Sequence, residues 1–472
     1  MHNELDFFSI GRVASLLRTK KISPVELTEA VLARVEKRNP RLNAYITVLA
    51  ERARADARRA EREIVRGRHR GPLHGVPISI KDNIWVRGAR CTAGSKILAD
   101  FLPSEDATVA RHLARAGAVL IGKTNLHEFA YGITSENPHY GPARNPWAPD
   151  RIAGGSSGGS AAALAAGLCF ASVGTDTGGS IRIPAALCGV AGLKPTFGRV
   201  SSYGVVPLAR SLDHVGPLGR TVDDLAILLR IIAGRDPLDS TAAAKPVPDY
   251  LRALRGRLNR LRLGWPREYF FERVDDQVRQ AIEAAACVLT KLGAQIEEVS
   301  LPHIADSAEP STHIALAEAR HFHETAGYFP ARAAEYGDDV RRLLDKGGSV
   351  TAVDYLKAFE VRQTVLGDFQ AAFARVDAIL APAVPVPAPR LGESILMIGG
   401  EQETVRSALI RLNRPANFTG LPAISVPCGF ARDGLPIGLQ LIGPAWGEER
   451  LLKIAHAYEQ ATEWHTRRLK DD

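Results

Sequence analysis

Gly154 to Pro195 reads GGSSGGSAAALAAGLCFASVGTDTGGSIRIPAALCGVAGLKP. Four glycines surround the Ser156–Ser157 pair, permitting unusual backbone angles and close approach of neighbouring chain. The alanine-rich run that follows suits a short helix packed tightly on a sheet, and its N-terminus would favour a nearby anion. CFASVG then reads as an apolar strand, closed by Gly174-Thr175-Asp176-Thr177-Gly178-Gly179-Ser180. A turn ending in a serine behind two glycines can aim several backbone N–H groups at one point, as an oxyanion hole requires. Asp176 and Arg182 flank that turn and suit an ion pair. Taken singly, each loop also has a plain reading, a flexible or phosphate-cradling loop for the first and a structural turn for the second.

Working outward, GVPISIKDN, AVLIGKTN and GVAGLKPT are short apolar runs closed by Gly, Pro, Asn or Asp, and they read as further strands. In the first, Ile78 and Ile80 face one way and Ser79 and Lys81 the other. A lysine ending such a strand can project into a partly buried site, or serve as an ion-pair partner at the sheet edge. Residues 245–375 carry more charge and helical spacing, as in VRQAIEAAACVLTKLG. Strand-like runs return in VDAILAPA, AISVPCGF and IGLQLIG, before a final helix from Glu448 to about Thr462. The prolines from Pro382 to Pro389 finish a strand. Strands at both ends with helices between them predict one sheet assembled from distant segments. Residues 9–66 read as helical, broken at Ser23-Pro24 and Asn39-Pro40, with Ser23, Pro24 and Glu26 placed for a capping box.

Two motifs mislead. Gly117 to Thr124 spells the Walker A expression, but a phosphate loop needs a strand before its first glycine. Here Ala118 to Ile121 are themselves the strand. His321 and His323 mimic a metal pair, yet they fall in a helical stretch where i and i+2 side chains point apart. No metal and no cofactor is expected.

The chain has 472 residues, 45% hydrophobic and 24% charged, a globular composition that excludes disorder and collagen-like repeats. Its formal charge of +8 permits an acidic partner such as RNA without arguing for one. Eight arginines among four acids between Glu51 and Arg70 read as a solvated helix face laced with ion pairs. Five scattered cysteines suggest buried thiols in a reducing compartment. With no basic, apolar leader in MHNELDFFSI, a cytoplasmic protein is expected.

The segment from Gly154 to Pro195, with Lys81 lying 75 residues before Ser156 and Ser180 lying 24 after it, resembles the amidase signature family. Looser similarity runs from ISPVELTEAVLARVE to NFTGLPAISVPCG, nearly the whole chain. The resemblance implies an α/β fold, a single large domain with a mixed, mostly parallel central sheet surrounded by helices. Residues 1–70 would be a helical segment packed on a core of 71–472, with a helix-rich variable middle at about 245–375. By the same resemblance Ser180 is the acyl-forming nucleophile, Ser156 the bridging serine held by a cis peptide, and Lys81 the base. Thr177, Gly178 and Gly179, with the N–H of Ser180, would form the oxyanion hole.

For Lys81 to act as a base, burial must lower its pKa from ~10.4 by about three units. Phe129, Tyr131 and Ile133 are candidates for an apolar or aryl acyl pocket, or for plain core packing. The implied activity is cleavage of a carboxylic amide to acid and amine, with a small amide as partner and a homodimer left open. The alternative is the glutaminase subunit of a tRNA-dependent amidotransferase, which would need partner subunits and tRNA. Against it, Ile410 stands where the glutaminase pattern places an aspartate, and STHIALAEARHFHETAG replaces its tyrosine-rich ASSEAS segment. A glutamine α-ammonium would then be buried unpaired, which is costly. A catalytically silent scaffold is the non-enzyme alternative.

Overall fold

The apolar runs leading to Lys81, Thr124 and Asp176 form three adjacent parallel strands, Pro77–Lys81, Val119–Thr124 and Ala171–Asp176, buried throughout. Continuous apolar burial of this kind is what a parallel sheet covered on both faces demands. The computed structural model describes residues 7–256 and 258–469. In it an eleven-stranded sheet begins at Tyr45–Val48 and passes through Val119–Thr124, Pro77–Lys81 and Ala171–Asp176. It continues through His214–Gly219, Ala191–Lys194, Ala423–Phe430 and Pro436–Ile442. Ala378–Pro382, Arg262–Pro266 and Gln295–Val299 complete it. The result is one α/β domain, and its strands come from every part of the chain.

The sheet is mixed, as expected, but antiparallel neighbours outnumber parallel ones six to four. A hairpin between Ala423–Phe430 and Pro436–Ile442, and the reversed strands beside it, shift the balance. Two further details differ from the sequence reading. Pro40 does not break its helix, which runs Pro24–Leu42. Proline there forfeits one late-turn hydrogen bond, and the helix ends at Asn43, which adopts the left-handed conformation at φ 50°. Just beyond, Tyr45–Val48 is a strand paired with Val119–Thr124, so the N-terminal segment contributes to the common sheet. The helix-rich middle likewise holds Arg262–Pro266 and Gln295–Val299, joined by the helix Asp276–Lys291 into a parallel edge pair.

The expected Ser23 capping box forms, with Glu26 N donating to Ser23 Oγ at 3.1 Å and Ser23 N to Glu26 Oε2 at 2.9 Å. The arginine-rich helix Ala50–Val65 pairs along its own face and with Glu29, through Arg52–Asp56, Arg54–Glu51 and Arg54–Glu29. All five cysteines are free thiols, four of them buried; Cys287 lies on the exposed side of its helix. Among the described residues no helix is long and apolar enough to cross a membrane. The first six residues of the segment read for a leader lie outside the described residues.

Small residues set the site's position. The helix Gly158–Ala165 is buried along nearly its whole length and packs on the strands bearing Lys81 and Asp176. A β-carbon on Gly159 would stand 2.4 Å from Ala44 O and 2.5 Å from Asn125 O, so only glycine fits that approach.

Candidate active site

Parallel strands bring their carboxyl ends to one edge of a sheet, where α/β proteins gather reacting groups. Lys81 closes one such strand and Asp176 its neighbour. Lys81 Nζ lies 2.7 Å from Ser156 Oγ and 2.8 Å from Thr175 Oγ1. Its side chain is fully buried, and burial lowers its pKa to about 7 against the raising influence of Asp176 and Asp213. The amine is therefore substantially neutral at neutral pH. Thr175 went unremarked in the sequence: Val173 is in register with Ile80, so alternation alone sets Thr175 on the face opposite Lys81 and gives no sign of this contact.

Ser156 follows a cis peptide bond from Gly155. Ser157 N donates to Ser180 O at 3.1 Å, tying the two serine loops side by side. Lys81 and Ser156 are thus in direct contact. Ser180 opens on a cavity beside them, and its hydroxyl makes no hydrogen bond among the described residues. Reacting groups commonly close their last hydrogen bond only around substrate.

The turn before Ser180 is braced by Asp176, whose carboxylate accepts from Gly179 N at 2.8 Å and Ile181 N at 3.1 Å. Arg182 Nε and Nη2 reach the same carboxylate at 3.1 and 3.0 Å, and Asn417 Nδ2 at 2.9 Å. Burial opposes ionisation of Asp176, but the Arg182 charge and hydrogen bonds outweigh it and hold the carboxyl well below its usual range. This arrangement corrects one expectation. The Gly179 N–H is spent on Asp176, whereas those of Thr177, Gly178 and Ser180 have no protein acceptor among the described residues. Thr177 Oγ1 donates to Asp213 at 2.6 Å, and burial raises Asp213 to about 6.

Arg182 is itself fully buried and also binds Gln440 Oε1 at 2.7 Å and Asn417 Oδ1 at 2.6 Å. Removing one partner of such a pair strands the other charge. Arg182→Met is expected to lower the unfolding free energy by about 3–5 kcal/mol, measured by urea denaturation.

The cavity encloses about 630 Å³, its open mouth included. Thr177, Gly178 and Ser180 lie at it, and Tyr131, Ile133, Leu208, Leu212 and Phe418 give it apolar walls. Of the three predicted pocket residues, Tyr131 and Ile133 line it and Phe129 does not. Phe129 is turned away into an aromatic cluster, its ring 4.4 Å from His323 and 5.7 Å from Tyr336. The helix Ala308–Thr325, which holds all but the last two residues of the replaced segment, supplies Ser311, Thr312, Ala315 and Leu316. Ile410 also lines the cavity and packs on the oxyanion turn: a β-carbon on Gly178 would lie 3.0 Å from its Cδ1. The sequence reading missed Arg406 and Arg414, both at the cavity, because they stand on two later helices with no motif around them.

A buried amine, a hydroxyl beside it and a glycine-rich turn facing a small cavity describe an enzyme acting on amide C–N bonds. The chain belongs to the amidase family: the family model "Amidase" matches residues 26–452. Among curated relatives, a glutamyl-tRNA(Gln) amidotransferase subunit from Geobacter metallireducens is 44% identical, covering 98% of this chain and 99% of its own length. Among solved structures, one is described as a vestigial protein complex that reveals the evolutionary origins of an s-triazine catabolic enzyme. It is 35% identical with a TM-score of 0.93, covering 98% of this chain and 100% of that one. A glutamyl-tRNA(Gln) amidotransferase subunit from Thermotoga maritima is 36% identical with a TM-score of 0.80, covering 96% and 95%.

Proposed function

We propose that this chain hydrolyses a carboxylic amide through an acyl-serine intermediate, with Ser180 as nucleophile, Ser156 as proton bridge and Lys81 as base. The observation that carries the reading is the 2.7 Å contact between Ser156 Oγ and a buried Lys81 whose pKa is lowered to about 7, beside a Ser180 open to the cavity. Neutral Lys81 accepts the Ser156 proton while Ser156 takes that of Ser180, and Ser180 Oγ attacks the amide carbon. The N–H groups of Thr177, Gly178 and Ser180 receive the oxyanion. The proton returns through Ser156 to the departing nitrogen, and water then cleaves the acyl ester by the reverse relay. A fluorophosphonate should label Ser180, and hydroxylamine should trap the acyl group as a hydroxamate; a silent scaffold gives neither. A cytoplasmic location belongs to the same reading, supported by five free thiols.

The pH dependence follows from the lysine. Its folded pKa is depressed, so the neutral base is present above about 7 and lost below it. The rate should rise with pH through about 7, and at pH 5 kcat/KM should be roughly a hundredfold below its plateau.

A second reading, the glutaminase component of an amidotransferase acting with partner subunits and tRNA, is favoured by the names of the curated relatives. On names alone it stands ahead of a general amidase. The cavity weighs the other way: among the described residues no carboxylate lines it, so none of them offers the α-ammonium of glutamine a counter-ion there. Glutaramate is glutamine without its amino group. It should exceed glutamine in kcat/KM by about a hundredfold, the equivalent of ~3 kcal/mol for an unpaired buried charge. Preference for glutamine, or ammonia release only when transamidation partners and tRNA are added, would install the second reading.

A further inference from the structure

Among the described residues the walls of the cavity carry two guanidinium groups and no acid. Arg414 Nη1 is held by neutral acceptors, Ala308 O at 2.9 Å and Thr312 Oγ1 at 2.8 Å. Arg406 Nη1 donates to Tyr131 O at 3.2 Å, with its guanidinium 5.6 Å from the centre of the Tyr131 ring. Among the described residues neither has a carboxylate within 4.0 Å. Arg411, on the same helix as Arg406, does have one, Glu403 at 3.3 Å.

The acids nearest the site are already engaged. Asp213 accepts from Thr177 Oγ1 and from the N–H groups of Leu208 and Ala209. Glu318 accepts from Ser211 and the Tyr355 hydroxyl. Asp339 pairs with His127 at 2.7 Å and acts on Arg406 only from a distance. Burial, reinforced by the like charge of Arg406, brings the Arg414 guanidinium down to about 10. Two cations kept beside a buried nucleophile without a counter-ion leave a positive field that an arriving anion would neutralise. Guanidinium is suited to a planar carboxylate.

Resting on the acyl-serine reading above, we propose that the cavity admits an amide whose acyl part ends in a carboxylate, received by Arg406 and Arg414, and which lacks an α-ammonium. The substrate class is the half-amide of a dicarboxylic acid. In the reaction the amide C–N bond breaks, the bond from Ser180 Oγ to the acyl carbon forms, and the nitrogen leaves with the Ser180 proton. Water then releases the dicarboxylic acid and restores that proton to Ser180. Ile410 fills the space beside Gly178 with hydrocarbon, which suits an unsubstituted methylene chain between amide and carboxylate.

Succinamate, glutaramate and adipamate should be compared as kcat/KM with butanamide, pentanamide and hexanamide, in which a methyl group replaces each carboxylate. For the best chain length the anionic amide should lead by about a hundredfold or more. Arg406→Met and Arg414→Met should each bring that ratio down at least tenfold, and the Lys variants should restore part of it. A second arm needs no turnover: succinate, glutarate or adipate should slow fluorophosphonate labelling of Ser180 in the wild type and not in Arg414→Met. Neutral amides matching the anionic ones, with labelling indifferent to dicarboxylates, would overturn the proposal while leaving the hydrolase intact. A preference that survives both arginine substitutions would also overturn it. Absence of any Ser180 labelling would instead remove the acyl-serine reading itself.

Discussion

Replacing Ser180 by alanine should reduce amide turnover by about 10⁵–10⁶-fold in kcat, leaving only what the oxyanion turn and the cavity contribute without a nucleophile. The turn itself should persist. Its geometry is held by Asp176, which accepts from Gly179 and Ile181 and is paired with Arg182, and none of these bonds uses the Ser180 hydroxyl. Dicarboxylate binding, followed by calorimetry, should therefore survive, whereas the hydroxamate formed with hydroxylamine should disappear. Near-native turnover in Ser180→Ala would remove this serine from the mechanism.

The second large effect belongs to Lys81 and Ser156. Lys81→Met and Ser156→Ala should each cost about 10³–10⁴-fold in rate, and the double variant should be no slower than the poorer single, because members of one relay are strongly non-additive. Strictly multiplicative losses would separate the two residues. Stability should move the other way. The folded pKa of about 7 lies below that of an unfolded lysine, so the folded state binds fewer protons between that value and ~10.4. The stability contributed by this group consequently rises as pH rises across that window and is lowest at and below its bottom. Methionine removes the penalty, up to ~4 kcal/mol at pH 7 from about three pKa units. Against that stand the two hydrogen bonds to Ser156 and Thr175, at ~1 kcal/mol each. A net gain of about 2 kcal/mol at pH 7, turning into a net loss of about 1 kcal/mol by pH 10 as the penalty vanishes and the lost hydrogen bonds remain, is expected from urea denaturation.

The outer parts of the site and fold show where reading along the chain fails. Pro40 looks like a stop signal, yet its cost at the end of a helix is one hydrogen bond, which packing of the helix's apolar face exceeds. Tyr45–Val48 is too short to announce itself as a strand and is one because Val119–Thr124 offers it an edge. Phe129 and Tyr131 are two residues apart in one apolar segment. Phe129 takes a φ of 48° and turns into the His323 cluster, while Tyr131 faces the cavity. No periodicity distinguishes them.

Within the sequence itself lay what depends on local backbone chemistry: the glycine-flanked serines, the apolar strand ending in Lys81, the braced turn before Ser180, and the α/β class that apolar runs broken by Gly and Pro require. The spacing of Lys81, Ser156 and Ser180 carried the resemblance that named them together. Tertiary structure alone decided the pKa of Lys81, because desolvation is set by everything packed around the amine. It also decided which N–H groups remain free, since Gly179 is claimed by a carboxylate whose aim depends on Arg182 and Asn417 from other elements. And it placed Arg406 and Arg414, from two short helices more than two hundred residues beyond Ser180, in the cavity without an acid. Charge pairing is a property of what meets in space, and no local pattern records it.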